Sequence, residues 1–135
     1  IYKAESKSQS CLIKILNRLE RTLTAPAFRE TFKTITCDNG CEFLDMQAME
    51  KSIYNKVMKR TKVYYCHPYN ACERGSNENA NKLIRRWIPK GSHISIFTDN
   101  YIKELQDWIN DYPRKIFNYL SAREYKALVQ SKRLD

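Results

Sequence analysis

The run Phe32-Lys33-Thr34-Ile35-Thr36-Cys37 constrains this chain most, because it is rich in β-formers and stops at Asp38-Asn39-Gly40, a turn signal. It predicts a strand that delivers Asp38 to its C-terminal end. A second strand is expected at Lys62-Val63-Tyr64-Tyr65-Cys66. Elsewhere the apolar spacing is helical. From Ser8 onward Leu12, Ile15, Leu16, Leu19 and Leu23 fall on one face, and Lys14, Asn17, Arg18 and Glu20 are assigned to the others. This amphipathic helix is expected to end before Pro26. After the turn, Phe43, Met46, Met49 and Ile53 predict another helix, running into a polar, Lys-rich stretch at residues 52–60. Residues 1–3 read as the end of a strand. Strands mixed with helices in this way place the chain in the α/β class.

The second half reads as helices separated by prolines. Residues 67–75 are expected as loop, and Ser76 or Asn77 can cap a helix that runs to about Trp87 before Pro89 stops it. A further helix from Thr98 buries Tyr101, Ile102, Leu105, Trp108 and Ile109 and ends before Pro113. The last begins at Ser121, where Ser-x-x-Glu with Glu124 forms a capping box. At 135 residues the chain is expected to be one domain or a piece of one, with a single small core.

The balance of 24 Lys and Arg against 15 Asp and Glu leaves +9, which draws the chain to polyanions such as nucleic acid or an acidic membrane face. No apolar run is long enough to cross a bilayer and no hydrophobic signal core opens the sequence, so an intracellular, soluble protein with no membrane partner is expected. In that setting reduced thiols are the simplest account of the five cysteines. Cys37, Cys41, Cys66, His67 and Cys72 could supply a zinc-stabilised interaction module, although Cys-x3-Cys followed by Cys-His-x4-Cys is an unusual spacing for one.

Two sets of residues can carry chemistry, and each has a plain alternative. Asp38, just after a strand, sits where α/β folds place ligands, outside the carboxyl ends of strands. Asp-Asn-Gly is equally an ordinary tight turn. On the helix from Ser76, Glu78, Asn81, Lys82 and Arg85 share one face, with Leu83, Ile84 and Trp87 on the core side. A solvated face would show the same mixture. Residues 74–90, however, hold Arg74, Lys82, Arg85, Arg86 and Lys90 against the one acid Glu78, a concentration of cations that attracts phosphate.

These residues resemble a known family. Cys37-Asp38-Asn39-Gly40-Cys41-Glu42-Phe43, Tyr65-Cys66-His67-Pro68-Tyr69, Glu73-Arg74-Gly75-Ser76-Asn77-Glu78-Asn79 and Pro89-Lys90-Gly91 occur in order, followed by Asn110-Asp111-Tyr112-Pro113-Arg114-Lys115. Together they resemble the bacterial insertion-sequence-30 family of DDE transposases, whose core is similar to retroviral integrases and ribonuclease H. The resemblance implies a ribonuclease H-like α/β core that cuts and joins DNA with two Mg²⁺ or Mn²⁺ ions. It makes Asp38 the second acid of the triad and Glu78 the third, both of them catalytic metal ligands. The 40 positions between these acids are a few more than the family suggests, with the excess placed in residues 52–60.

Arg74, Asn77, Asn81, Lys82, Arg85 and Lys90 become the expected DNA-binding residues. The family's first Asp lies on the first strand, upstream of the helix at Ser8, and no residue before Asp38 matches it. Residues 1–135 are therefore expected to be the C-terminal part of the core, inactive alone, bacterial and cytoplasmic, and self-associating through an unpaired edge of the Asp38 strand and a bare apolar face at Leu12, Ile15, Leu16 and Leu19. A non-catalytic nucleic-acid-binding remnant stays open beside this reading.

Overall fold

The computed structural model describes residues 1–55, 57–67 and 75–131. The chain forms two compact units, Tyr2–Gly75 and Ser76–Asp135 together with Ile1. Each has its own hydrophobic cluster, where the length alone suggested a single core.

The first unit opens with helix α1, Gln9–Leu23, which Ser8 caps by accepting the Cys11 N–H at 3.3 Å. Residues 1–4 form no strand, contrary to the β-former reading of this end. The chain breaks at Thr24, whose φ of 69° ends the helical path, and re-enters a helix at once. This helix, α2 at Ala25–Thr31, carries Pro26 in its first turn, where the missing N–H costs nothing. Pro26 thus starts a helix as well as ending one.

Strand β1, Thr34–Cys37, and strand β2, Lys62–Tyr65, pair in parallel with Thr34 opposite Lys62 and Cys37 opposite Tyr65. This is a mixed α/β architecture with a two-stranded sheet among the described residues. Val63 and Cys37 point into a core with Leu16, Phe28 and Met49, and Leu12, Leu19 and Leu23 pack against it. Leu12, Leu16 and Leu19, expected to form a bare apolar face, are therefore packed against the chain's own core.

After β1 the backbone makes a 3-10 turn at Cys41–Phe43 and only a five-residue helix, α3 at Met46–Glu50. The long helix expected through Ile53 does not form. An antiparallel bridge between Lys51 and Lys59 closes an excursion instead, with the Arg60 N–H donating to the Glu50 carbonyl at 2.7 Å. Its tip is open, with Val57 94% exposed. Its feet are buried: Ser52 and Arg60 are 3% and 0% exposed.

What holds those feet is Glu20, also fully buried, on the core side of α1 and not on the polar face that its charge suggests. Arg60 Nη1 meets Glu20 Oε2 at 3.3 Å and Asn17 Oδ1 at 2.7 Å, while Arg60 Nε and Nη2 donate to the carbonyls of Met49 and Ala48. The Ser52 hydroxyl and the Ile53 N–H complete the Glu20 carboxylate. A buried charge survives only when paired and hydrogen-bonded, and this one is. Burial pulls the Arg60 guanidinium below its usual range, with Glu20 opposing the shift.

The second unit contains α4, Gly75–Ile84, α5, Asp99–Asp111, and α6, Ala122–Ser131. α4 is shorter than expected, with turns at residues 85–87 leading to Pro89. Thr98 caps α5 through the Tyr101 N–H at 3.2 Å. The capping box of α6 forms as expected, Ser121 Oγ accepting from the Glu124 N–H and Glu124 Oε2 from the Ser121 N–H. Ile88, Ile102 and Leu105 form the core, ringed by Trp87, Tyr101 and Trp108. Trp87 contacts Tyr101 at 5.5 Å and Trp108 at 5.7 Å between ring centroids.

Candidate active site

Asp38 directly follows the last residue of β1, as its sequence context predicts. Its Oδ1 accepts the Gly40 N–H at 3.3 Å, an Asx turn that accounts for Asp-Asn-Gly locally. Asn39 fixes this turn to the end of the neighbouring strand by donating its amide to the Cys66 carbonyl at 3.4 Å.

Gly40 is where a side chain has no room. A Cβ there would lie 2.7 Å from Glu42 Oε2 and 3.1 Å from Asp38 Oδ1. Two carboxylates therefore crowd the same point at the carboxyl end of the sheet. The Glu42 side chain is 17% exposed and faces Lys7 at 3.6 Å. Glu42 stands inside the Cys37–Phe43 motif, yet only the conformation of the turn reveals that it adjoins Asp38. Carboxylate oxygens are the hard donors that Mg²⁺ takes.

The thiols beside them are of another kind. Cys37 is buried, and burial, then Asp38 and Cys66, push its thiol up to about 11. Cys11, Cys37, Cys41 and Cys66 are free thiols, and Cys72 lies outside the described residues. Among the described residues no group of three or more His, Cys, Asp and Glu is placed to hold a metal ion.

Glu78 lies in the first turn of α4, in the second unit, and Asp38 belongs to the first. Glu78, Asn81, Lys82 and Arg85 are all exposed on α4 or just beyond it, as are Asn77 and Lys90, while Leu83 is buried at 5%. The helical spacing thus sorts polar from core positions as expected. Arg74 lies outside the described residues.

The second unit holds further cations, Arg114 and Lys115, to which the sequence pattern gave no binding role, beside Arg86 of the basic cluster. A cavity of about 520 Å³ is lined by Ser76, Asn79, Arg86, Arg114 and Lys115 among others. Arg86 donates to the Tyr112 hydroxyl at 3.2 Å and lies over that ring, and Arg114 Nε is buried with no hydrogen-bond partner. Among the described residues no helix is long and apolar enough to cross a membrane.

No protein-family profile matches the chain. Individual relatives do. The chain is similar to the transposase for insertion sequence element IS4351 of Bacteroides fragilis, at 45% identity over 97 residues, which is 71% of this chain and 28% of that protein. It is 37% identical over 99 residues to a probable transposase for insertion-like sequence element IS1161 of Streptococcus salivarius, covering 73% of this chain and 26% of the relative. It is 30% identical over 105 residues to transposase InsI for insertion sequence element IS30A of Escherichia coli K12, covering 78% and 25% respectively. The chain spans about a quarter of the length of these relatives.

Proposed function

Because this chain belongs, over its matched residues, to the transposases of bacterial insertion sequences, we propose that it forms part of a ribonuclease H-like DDE core that cuts and joins DNA at insertion-sequence ends. In this reading Asp38 and Glu78 are two of the acids that hold a pair of divalent ions, Mg²⁺ or Mn²⁺. The observation that carries it is the position of Asp38 at the carboxyl end of β1, its carboxylate and that of Glu42 both lying over Gly40.

The donor set fits such ions, since Asp38, Glu42 and Glu78 offer carboxylate oxygens. When bound, paired ions supply activation of the attacking hydroxyl and stabilisation of the leaving oxygen in phosphodiester attack. The chain's own part is positional. Asn39 and Gly40 fix the Asp38 carboxylate, and Glu42 adds negative charge beside it. Arg74, Asn77, Asn81, Lys82, Arg85 and Lys90 would hold the DNA backbone near Glu78, and the exposure of the described members of this set on and after α4 supports that role. DNA is the proposed partner of the whole transposase, and self-association a further property of it.

The test is Mn²⁺ titration of the chain, read by calorimetry, beside nicking of insertion-sequence ends by the whole transposase. Asp38→Asn and Glu78→Gln should each remove both signals. Unchanged Mn²⁺ binding in either variant would take that residue out of the site.

A further inference from the structure

Because β1 and β2 are parallel, Thr34 and Lys62 lie together at the end of the sheet opposite Asp38. Four strand residues span about 13 Å, so the two ends are separate places. At this far end a cavity of about 490 Å³ is lined by Arg29, Lys33, Lys59, Arg60, Thr61 and Lys62. It has five cations and no acid in its lining.

Three of the five already have partners, Lys62 being one, with its Nζ 5.1 Å from the centroid of the Tyr64 ring. Arg60 is consumed by Glu20 inside the core, and Lys59 pairs with Glu50 while its side chain stays 68% exposed. Lys33 and Lys62 are exposed and Arg29 is half-buried; Arg29 and Lys33 form no ion pair among the described residues, and Lys62 feels the Glu50 charge without an ion-pair contact. The backbone holds two of them together, because the Lys62 N–H donates to the Lys33 carbonyl at 3.2 Å. Thr61, 6% exposed, contributes a hydroxyl whose oxygen has no hydrogen-bond partner. A buried hydroxyl of that kind costs free energy until an acceptor meets it.

Convergent cations, an unsatisfied hydroxyl and a concave surface without carboxylates describe a seat for an oxyanion. We propose that this cavity is a second phosphate site, which receives backbone phosphates of a DNA strand through Arg29, Lys33, Lys62 and Thr61, apart from the acids at the other end of the sheet. The anion site rests on the geometry alone, and its assignment to DNA rests on the transposase reading. A strand seated here is a different stretch of nucleic acid from one at Asp38, so one unit would grip DNA at two places.

The experiment uses the full chain and a fluorescein-labelled duplex, with binding followed by anisotropy across salt concentrations. The combined variant Arg29→Gln, Lys33→Gln and Lys62→Gln should weaken binding to all sequences and reduce the log–log salt slope by about two to three, at ~0.9 for each phosphate no longer neutralised. On the unaltered chain, the duplex should slow acylation of Lys33 and Lys62 while Lys126 reacts as before, a footprint that stays informative even where the variant fails to fold. Unchanged slope in a folded variant would overturn the DNA assignment, and acylation unaltered by the duplex and by inorganic pyrophosphate alike would overturn the site. Protection by inorganic pyrophosphate but not by the duplex would keep the anion site and overturn the DNA assignment. Asp38→Asn separates the two proposals: normal Mn²⁺ binding in that variant beside a protected Lys33 and Lys62 sinks the catalytic reading and leaves this one standing.

Discussion

The Glu20 carboxylate and the Arg60 guanidinium meet at 3.3 Å with both side chains entirely out of contact with solvent. Together they tie α1 to the segment that leads into β2. Removing one partner strands the other charge in the core, so Glu20→Gln or Arg60→Met should each cost about 3 to 5 kcal/mol, measured as a shift in the urea midpoint. Replacing both by apolar residues of like volume should cost far less than the two single changes together. Strict additivity of the singles would show that the pair is not coupled.

A second carboxylate gives the unit a pH dependence. The side-chain bond from Lys59, then the Val63 N–H, hold the Glu50 carboxyl below its ordinary range, against the opposing effect of burial. The unfolded chain thus takes up this proton more readily than the folded one. The stabilisation is fully present above the unfolded value of ~4.3 and is lost as pH falls through the lower folded value. Urea midpoints should drop between about pH 4.5 and pH 3, and Glu50→Gln should flatten that drop. A variant with the parent's acid profile would assign the effect to another group.

These polar anchors were the part of the fold that the sequence concealed. The sequence pattern found both strands, the position of Asp38, the starts of α1 and α5 and the capping box of α6, whereas Ser76 and Asn77, named as caps, lie inside α4. It put Glu20 on the wrong face because a charged residue is assigned to solvent unless its partner is known, and Arg60 is 40 positions away. One signal was available: Leu12, Leu16 and Glu20 are spaced four apart, which places Glu20 in line with the core stripe. The shortness of α3 was hidden because Ile53 continues the apolar spacing of Met46 and Met49 although the helix ends at Glu50. Of the candidate site, Asp38 and the polar face of α4 were legible, whereas the nearness of Glu42 depends on a turn whose path only coordinates supply.

The proposed metal site makes a geometric claim about two residues in different units. In the whole transposase with Mn²⁺, the Asp38 and Glu78 carboxylates should lie roughly 4 to 8 Å apart, as shared ligation of closely spaced ions requires. Combining Asp38→Asn with Glu78→Gln should lower nicking no further than either alone, the behaviour of residues that act as one. Multiplying losses would mean separate roles. Glu42→Gln, acting on the site from beside Asp38, should weaken Mn²⁺ binding by about 10- to 100-fold without abolishing it.

The basic face of α4 predicts a salt-dependent, weakly sequence-selective grip on DNA. Reversing Arg85 and Lys90 to Glu should weaken binding to all sequences alike and cut the salt slope by about two. A loss confined to one sequence would point to base readout in place of phosphate contact.

Thiol chemistry offers an independent check on the first unit. Cys41 is exposed, and Cys37 and Cys66 are 5% and 8% exposed. Iodoacetamide should modify Cys41 within the time in which Cys37 and Cys66 stay intact, with mass spectrometry reading each peptide. Equal rates would mean that the core around β1 and β2 opens readily.

The excursion between Lys51 and Lys59 has an evolutionary consequence. Both its feet are clamped, one by Ser52 and Glu20 and the other by Arg60, while the Val57 side chain at its tip is exposed to solvent. Residues added or deleted at the tip would leave the pairing of β2 with β1 undisturbed, and each doubling of such a loop costs only about 0.6 kcal/mol. The 40 positions that separate Asp38 from Glu78 are therefore a number free to drift between relatives. Counting residues between these acids is therefore a poor ruler for recognising homologues.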